Sequence, residues 1–232
     1  MYLSFRCLIV AVFVCTASWV HAQSQSDSMA KRMQACTTCH GAQGITSNQA
    51  YFPRIAGKPA GYLFNQLVNF KEGRRHYGLM VGMVEHLSDA YLLEMAQYFA
   101  GLDVPYASPA PLKMPASAAT LQFGKTLALQ GDKNRQLAAC TSCHGTALMG
   151  VLPSTPALLG LPRDYLAAQL GAWQTGLRRA HAPDCMGRIA KVLTVNDVDA
   201  LASWLASQPV PASAKPAASL PAPMQELCGG AK

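Results

Sequence analysis

Two copies of one short motif constrain this chain more than any other feature of its sequence. The pattern Cys-x-x-Cys-His spans residues 36–40 and recurs at residues 140–144. Cysteines three positions apart lie about one helical turn apart on one face, so their sulfurs can reach the two vinyl groups of a single porphyrin. A histidine directly after the second cysteine then lies beneath the iron, for which a neutral imidazole is a suitable ligand. The motifs therefore predict two covalently bound haem c groups, held by Cys36, Cys39, His40, Cys140, Cys143 and His144.

Two other kinds of site also use paired cysteines. A zinc site made of two C-x-x-C knuckles usually spaces them by roughly 15–20 residues and needs no histidine after each pair. In this chain the two motifs are a whole domain apart. A thioredoxin-like redox pair is an alternative for one copy, but it does not explain a histidine in both. Haem attachment is the interpretation that accounts for both motifs.

Length and charge narrow the class of protein. At 232 residues the chain suits one large domain or two small ones, and the repeated motif favours two. The formal net charge is +7, and ionised haem propionates would offset several of these charges. The sequence has no lysine- or arginine-rich run of the kind that follows phosphates. The chain is therefore expected to be a mildly basic protein of the size of an electron carrier, with no nucleic-acid partner.

The first 22 residues have the pattern of a secretory signal. A short basic start precedes an apolar run from Cys7 to Val20, which is too short to span a membrane comfortably as a mature helix. Val20-His21-Ala22 then approximates a small-x-small cleavage site. We therefore expect a signal peptide at residues 1–22 and a mature protein in the periplasm. The alternative is an uncleaved membrane anchor.

The remaining cysteines suggest a disulfide, because export leads to an oxidising compartment in which spare cysteines pair. Cys7 and Cys15 leave with the signal, and four of the other six belong to the two motifs. Cys185 and Cys228 remain, and a bond between them would tie the C-terminal tail to the second domain. Two unrelated thiols are the alternative.

The periodic segments of the sequence are helical, and no run alternates as a strand does. Helices are predicted at residues 29–35, 60–72, 89–100 and 120–130, and from residue 193 onward. Ser28 and Ser88 are typical N-caps for two of them. The segments at residues 41–53 and 74–78 are predicted to be loops, and the second of these loops leads to Met80. The fold class predicted is all-α.

The second half of the chain repeats the first. Pro53 and Pro156 lie in similar segments, and Tyr62 and Tyr165 each follow nine residues later. Other matched positions are Gln66 with Gln169, Gly73 with Gly176, Arg74-Arg75 with Arg178-Arg179, and Leu92 with Val198. Such a repeat indicates a duplicated domain. We predict domains at residues 23–102 and 120–207, joined by a Pro-rich linker at residues 103–119 and followed by a Pro/Ala-rich tail at residues 208–232.

The second ligand of each iron decides the function, because a six-coordinate haem transfers electrons whereas an open one binds small molecules or reacts with peroxide. Met80 and Met186 each stand seven residues before a matching leucine, so both halves have a methionine at the same position of the repeat. Met83 competes with Met80 in the first half, but its counterpart in the second is Ile189. The alternative ligands are His76 and His181.

Together these residues resemble the diheme class-I cytochromes c of the c-four type, which consist of two tandem cytochrome c domains. The resemblance covers residues 30–206. Its first-domain signature is Phe52-Pro53-Arg54-Ile55-Ala56-Gly57, Tyr62-Leu63, Gln66-Leu67, Phe70-Lys71-Glu72-Gly73, Met80 and Leu87-Ser88-Asp89.

The resemblance implies a ligand set and an arrangement of the two domains. One iron would be bound by His40 and Met80, and the other by His144 and Met186. The carbonyl groups of Pro53 and Pro156 would accept hydrogen bonds from the two histidine rings, which orients them. The two haems would approach each other across a pseudo-twofold interface. Arg75 and Arg178 would either contact haem propionates or lie in solvated loops.

The function expected is transfer of single electrons, without catalytic residues. The donor would be a dehydrogenase or a quinol-oxidising complex, and the acceptor a terminal oxidase or a similar protein. Any membrane association would be peripheral and through these partners. Two alternatives remain: a cytochrome subunit of a dehydrogenase complex, and a diheme peroxidase or thiosulfate-type oxidoreductase with one labile axial ligand.

Overall fold

The fold is built from helices joined by loops and turns. The computed structural model of the protein describes residues 27–106, 115–212, 215–219 and 228–231. The first domain contains α1 (Met29–Arg32), α2 (Gln34–His40), α3 (Ala60–Lys71), α4 (Gly78–Val84) and α5 (Asp89–Ala100). The second contains α6 (Ala118–Gln130), α7 (Thr141–His144), α8 (Arg163–Gln174), α9 (Cys185–Val192) and α10 (Val195–Ser207), with 3₁₀ turns at Lys133–Arg135 and Gly229–Ala231. Within these ranges only isolated β-bridges accompany the helices, and the predicted all-α class is confirmed.

Several predicted segments lie outside the described residues. They are the signal peptide at residues 1–22, the middle of the linker at residues 107–114, and the parts of the tail at residues 213–214, 220–227 and 232. Among the helices that the structure does describe, none is long and apolar enough to cross a membrane.

Short polar residues begin several of the helices, whereas α3 and α8 follow prolines. The Ser88 hydroxyl accepts a hydrogen bond from the backbone N–H of Tyr91 at the start of α5. Thr194 and Asp197 form a reciprocal capping box at the start of α10. Such caps satisfy backbone N–H groups that the first helical turn leaves without partners.

Two short helices occur where the sequence predicted none. Residues 78–84 form α4 and residues 185–192 form α9, so both candidate methionines lie in a first helical turn. The Asp184 carboxylate begins α9 by accepting hydrogen bonds from the backbone N–H groups of Gly187 (2.8 Å) and Ala180 (2.9 Å). These helices have only seven and eight residues, too few for a periodicity that distinguishes them from loops.

Each domain has its own apolar core. In the first, α3 packs on α5 through Leu63, Leu92, Ala96 and Phe99. In the second, α10 packs on α6 and α8. The α6–α10 crossing is close at Gly124, where an added Cβ would lie 2.1 Å from the carbonyl oxygen of Ala200. A side chain at position 124 would therefore force the two helices apart.

The first residues of the linker are held between the domains. Arg54 is buried and donates hydrogen bonds to the carbonyl groups of Ala56, Val104 and Pro105, while its guanidinium stacks on the ring of Tyr106. Tyr106 in turn packs against the core of the second domain. This end of the linker is therefore fixed to both domains.

The two domains also meet through a pair of matched turns. Arg75 and Arg178 form an antiparallel bridge. The N–H of His76 donates to the carbonyl of Leu177 at 2.8 Å, and the N–H of Arg179 donates to the carbonyl of Arg74 at 2.7 Å. Because repeat-related positions pair with each other, the contact is self-complementary, as a twofold interface requires.

The glycine at the α6–α10 crossing provides a test of this packing. We expect Gly124→Ala to destabilise the haem-loaded protein by about 1–3 kcal/mol, because the methyl group overpacks the crossing. The matched control is Gly171→Ala, at a helical position with no heavy atom within 4 Å of the added Cβ; it should stabilise by about 0.5–1 kcal/mol. Denaturant unfolding followed by circular dichroism measures both changes. Equal stability of the two variants would contradict the packing described.

Candidate functional site

The two motif histidines are held in the same way. Nδ1 of His40 lies 2.8 Å from the carbonyl oxygen of Pro53, and Nδ1 of His144 lies 2.8 Å from that of Pro156. A carbonyl can only accept, so each ring donates its Nδ1–H and leaves the Nε2 lone pair available to a metal. The structure therefore shows the two hydrogen bonds that the resemblance implied.

Burial keeps both imidazoles neutral. It lowers the pKa of His40 and of His144, and in each case this effect outweighs the opposing effect of the hydrogen bond to proline. The charge of Arg75 lowers the pKa of His40 further. A neutral imidazole is the form that binds iron.

None of the four motif cysteines takes part in a disulfide in the structure. Burial raises the pKa of Cys36 and Cys143, and raises that of Cys140 to about 11. Partly buried thiols one helical turn apart fit thioether attachment of a porphyrin.

The second-domain motif opens into a largely apolar cavity of about 220 Å³. Cys140, Cys143, His144 and Met186 all line it. The other lining residues include Leu158, Leu166, Leu170, Ile189, Leu201 and Leu205. Two attachment sulfurs, an imidazole and a thioether in one apolar cavity are the donor set that a haem c group requires.

In the first domain, the candidate methionines differ in burial. Met80 is partly buried and packs against the same core cluster as Cys36 and Leu67. The competing Met83 is 47% exposed.

The two histidines considered as alternative ligands lie in different places, and one of them, His181, lines the second-domain cavity. His76 is exposed. Nε2 of His181 lies 2.8 Å from Nη2 of Arg74, across the domain interface.

A reciprocal network joins the two sites. Oε1 of Gln66 accepts hydrogen bonds from Arg75 (3.0 Å) and Arg178 (2.9 Å), and Oε1 of Gln169 accepts from the same two arginines, both at 2.8 Å. Arg178 also donates to the hydroxyl of Tyr62 at 3.2 Å. The sequence identified these as matched positions but not as partners, because only folding places the repeats face to face.

This network concentrates positive charge at the interface. Arg178 is 4% exposed, and burial followed by repulsion from Arg75 lowers its pKa. Burial tends to raise the pKa of Tyr62, but the charges of Arg178, Arg75 and Lys58 lower it to about 8. In the described part of the chain neither Arg75 nor Arg178 is paired with a carboxylate. The interface is therefore suited to anionic groups such as haem propionates.

The C-terminal tail adds a disulfide to the second domain. Cys185 and Cys228 are bonded, as the sequence suggested. Earlier in the tail, Ala217 pairs with the loop at residues 150–152 through two backbone hydrogen bonds. The described parts of the tail are therefore docked on the body of the protein.

These features define a class, the diheme c-type cytochromes with two tandem domains. The chain is 39% identical over 194 residues to a thiosulfate dehydrogenase electron acceptor from Thiomonas intermedia, covering 84% of each chain. It is 31% identical over 198 residues to cytochrome c4 from Stutzerimonas stutzeri, covering 80% of this chain and 90% of the relative. No family model matches the chain.

A solved structure is also similar. Thiosulfate dehydrogenase (TsdBA) from Marichromatium purpuratum superimposes with a TM-score of 0.66 at 33% identity, covering 77% of this chain. The match covers 37% of that longer chain.

The chain belongs to the family of c4-type diheme cytochromes. It carries two covalently bound haem c groups, and it is an electron carrier rather than an enzyme. The predictions of cofactor and of a non-catalytic role are thereby confirmed.

The glutamines of the interface network can be tested by substitution. We expect Gln66→Leu and Gln169→Leu each to destabilise the haem-loaded protein by about 1–3 kcal/mol, because arginine N–H groups lose a shared acceptor. The effects should not add in the double variant, since both glutamines serve the same arginines. The matched control is Gln97→Leu on the exposed face of α5, expected within about 0.5 kcal/mol of the parent. Guanidinium unfolding measures all four; additive effects would refute a shared network.

Proposed function

We propose that this diheme cytochrome accepts electrons from a thiosulfate dehydrogenase and passes them to a further redox protein. The observation that carries the proposal is the 39% identity, over 84% of each chain, to a protein named as a thiosulfate dehydrogenase electron acceptor. The similar solved structure bears the same enzyme name. These similarities favour the dehydrogenase-linked alternative over a general carrier between a respiratory donor and an oxidase.

The proposed ligand sets are His40 with Met80 and His144 with Met186. The fixed Nδ1 hydrogen bonds support both histidines. Met186 is supported by its place in the cavity that also contains His144. Met80 is supported by its partial burial against the core cluster that Cys36 also contacts, in contrast to the exposure of Met83.

The proposed attachment residues are the four motif cysteines, Cys36, Cys39, Cys140 and Cys143. When bound, each haem supplies an iron that alternates between its ferric and ferrous states. The methionine thioether is a soft ligand that favours the ferrous state and so raises the reduction potential. Pro53 and Pro156 hold the imidazoles in one orientation, which limits ligand movement on electron transfer.

In this proposal the apolar residues around each haem site and the arginines of the domain interface have different roles. Leucines around each site exclude water, so that only electrons are exchanged. Arg75 and Arg178 lie between the domains without carboxylate partners, and they would hold the anionic edges of both haems. Electrons would then pass between the domains within one chain.

The proposed location is the periplasm, reached through the signal at residues 1–22. The dehydrogenase and the next acceptor would be there too, and membrane association would occur only through such partners.

Removal of each methionine tests the proposed ligands. Oxidised haem with a methionine ligand has a weak far-red absorption band. We expect Met80→Ala and Met186→Ala each to remove about half of it, because each takes the thioether from one of two irons. The control is Met83→Ala, which should retain the whole band. A pyridine haemochrome assay checks that every variant still carries two haems; if both alanine variants kept the band, the ligand assignment would be wrong.

Reduction by the enzyme tests the proposed donor. Oxidised protein, mixed with a catalytic amount of thiosulfate dehydrogenase and excess thiosulfate, should become reduced at both haems. Stopped-flow absorbance follows the reaction, and omission of thiosulfate is the control. Failure of the enzyme to reduce a sample that dithionite reduces fully would exclude this donor.

A further inference from the structure

The C-terminal residues 228–231 lie across both domains, and we call them the C-terminal clamp. Its first residue, Cys228, is bonded to Cys185, which immediately precedes Met186. The N–H of Gly229 donates to the carbonyl of Pro183 at 3.1 Å. On the other side, the amide of Asn65 in the first domain donates to the carbonyl of Gly230 at 3.1 Å.

The clamp packs closely and forms part of the second cavity. An added Cβ at Gly229 would lie 2.3 Å from the carbonyl oxygen of Ala182, so the segment lies directly against the loop before α9. Cys228 and Gly230 line the same cavity as His144 and Met186. The clamp is therefore part of the wall around the proposed haem and not a distant tail.

The duplication provides an internal comparison. Leu79 precedes Met80 as Cys185 precedes Met186, at the same register of the repeat. Leu79 is 64% exposed, whereas Cys185 is partly buried and covalently held. The two candidate methionines thus differ in what fixes the backbone beside them.

This difference has a physical consequence for the ligand. Met186 lies in the first turn of an eight-residue helix, and so short a helix is marginal without tertiary support. A covalent bond one residue away removes backbone freedom that ligand binding would otherwise have to restrict. The restrained backbone would keep the Met186 thioether close to a bound iron and so raise its effective concentration there.

We infer that the C-terminal clamp positions Met186 and excludes water from the second haem, making this haem the more resistant to foreign ligands and raising its potential. The inference rests on the proposed ligation by Met186. Cys185 and Cys228 are then positioning residues, since they act through the methionine. Exclusion of solvent and orientation of ligands are established means by which proteins set haem potentials.

Competition by imidazole tests the clamp. The titration uses oxidised, full-length Met80→Ala protein, in which the remaining far-red band belongs to the second haem. When Cys228→Ser is added, the imidazole concentration needed to halve this band should fall about tenfold. This change is equivalent to about 1.4 kcal/mol. Cys185→Ser should have the same effect, and Lys215→Ser, elsewhere in the tail, should have none.

In a redox titration with Met80 intact, Cys228→Ser should lower the potential of one haem and leave the other unchanged.

A second substitution does not depend on altering a cysteine. Asn65→Leu keeps the disulfide but removes the hydrogen bond that holds Gly230 on the first domain, and it should give a smaller shift in the same direction. Unchanged imidazole titrations and potentials in Cys228→Ser and Asn65→Leu would overturn the inference. Met186→Ala separates the two proposals. If this variant keeps the whole far-red band, the proposed ligation by Met186 is wrong. If it loses half of the band while the clamp variants titrate as the parent does, only the role of the clamp is wrong.

Discussion

The hydrogen bond from each motif histidine to a proline carbonyl is the contact on which both sites depend. It uses the Nδ1–H of the ring and leaves Nε2 as the only nitrogen that can bind iron. Burial adds to its effect by keeping the imidazole neutral. The proline lies 12 or 13 residues beyond the histidine, so the loop after each motif must fold back before the ligand is oriented. Ligand geometry and loop conformation are therefore coupled.

Duplication gives the protein two such sites and the means to join them. Repeat-related arginines and glutamines meet face to face and share hydrogen bonds that neither domain could form alone. The network leaves two cations near one another without a carboxylate from the described residues. That arrangement is costly for a bare polypeptide but suitable beside the acidic edges of two haems. The proposed haem contacts would thus link cofactor binding to domain docking.

The two halves are nevertheless not equivalent. Arg54 and Tyr106 fix the start of the linker, and the disulfide between Cys185 and Cys228 fixes the C-terminal tail. The second site has a cystine and a chain segment beside its methionine, where the first has an exposed leucine. Two haems in matched frameworks can differ in potential when their surroundings differ in this way. A difference in potential of this kind would give electrons a direction within the molecule.

The sequence alone determined the two haem motifs, the helical class, the repeat and the register of the candidate methionines, because each depends on local spacing along the chain. It also singled out Cys185 and Cys228, by elimination. Helices α4 and α9 could not be predicted, since seven or eight residues are too few for a clear period. Tertiary structure alone decided that Gln66 and Gln169 share two arginines, that His181 contacts Arg74, and that the clamp reaches Asn65. These contacts join residues about 95 to 165 positions apart, and no local pattern specifies which distant surfaces will meet.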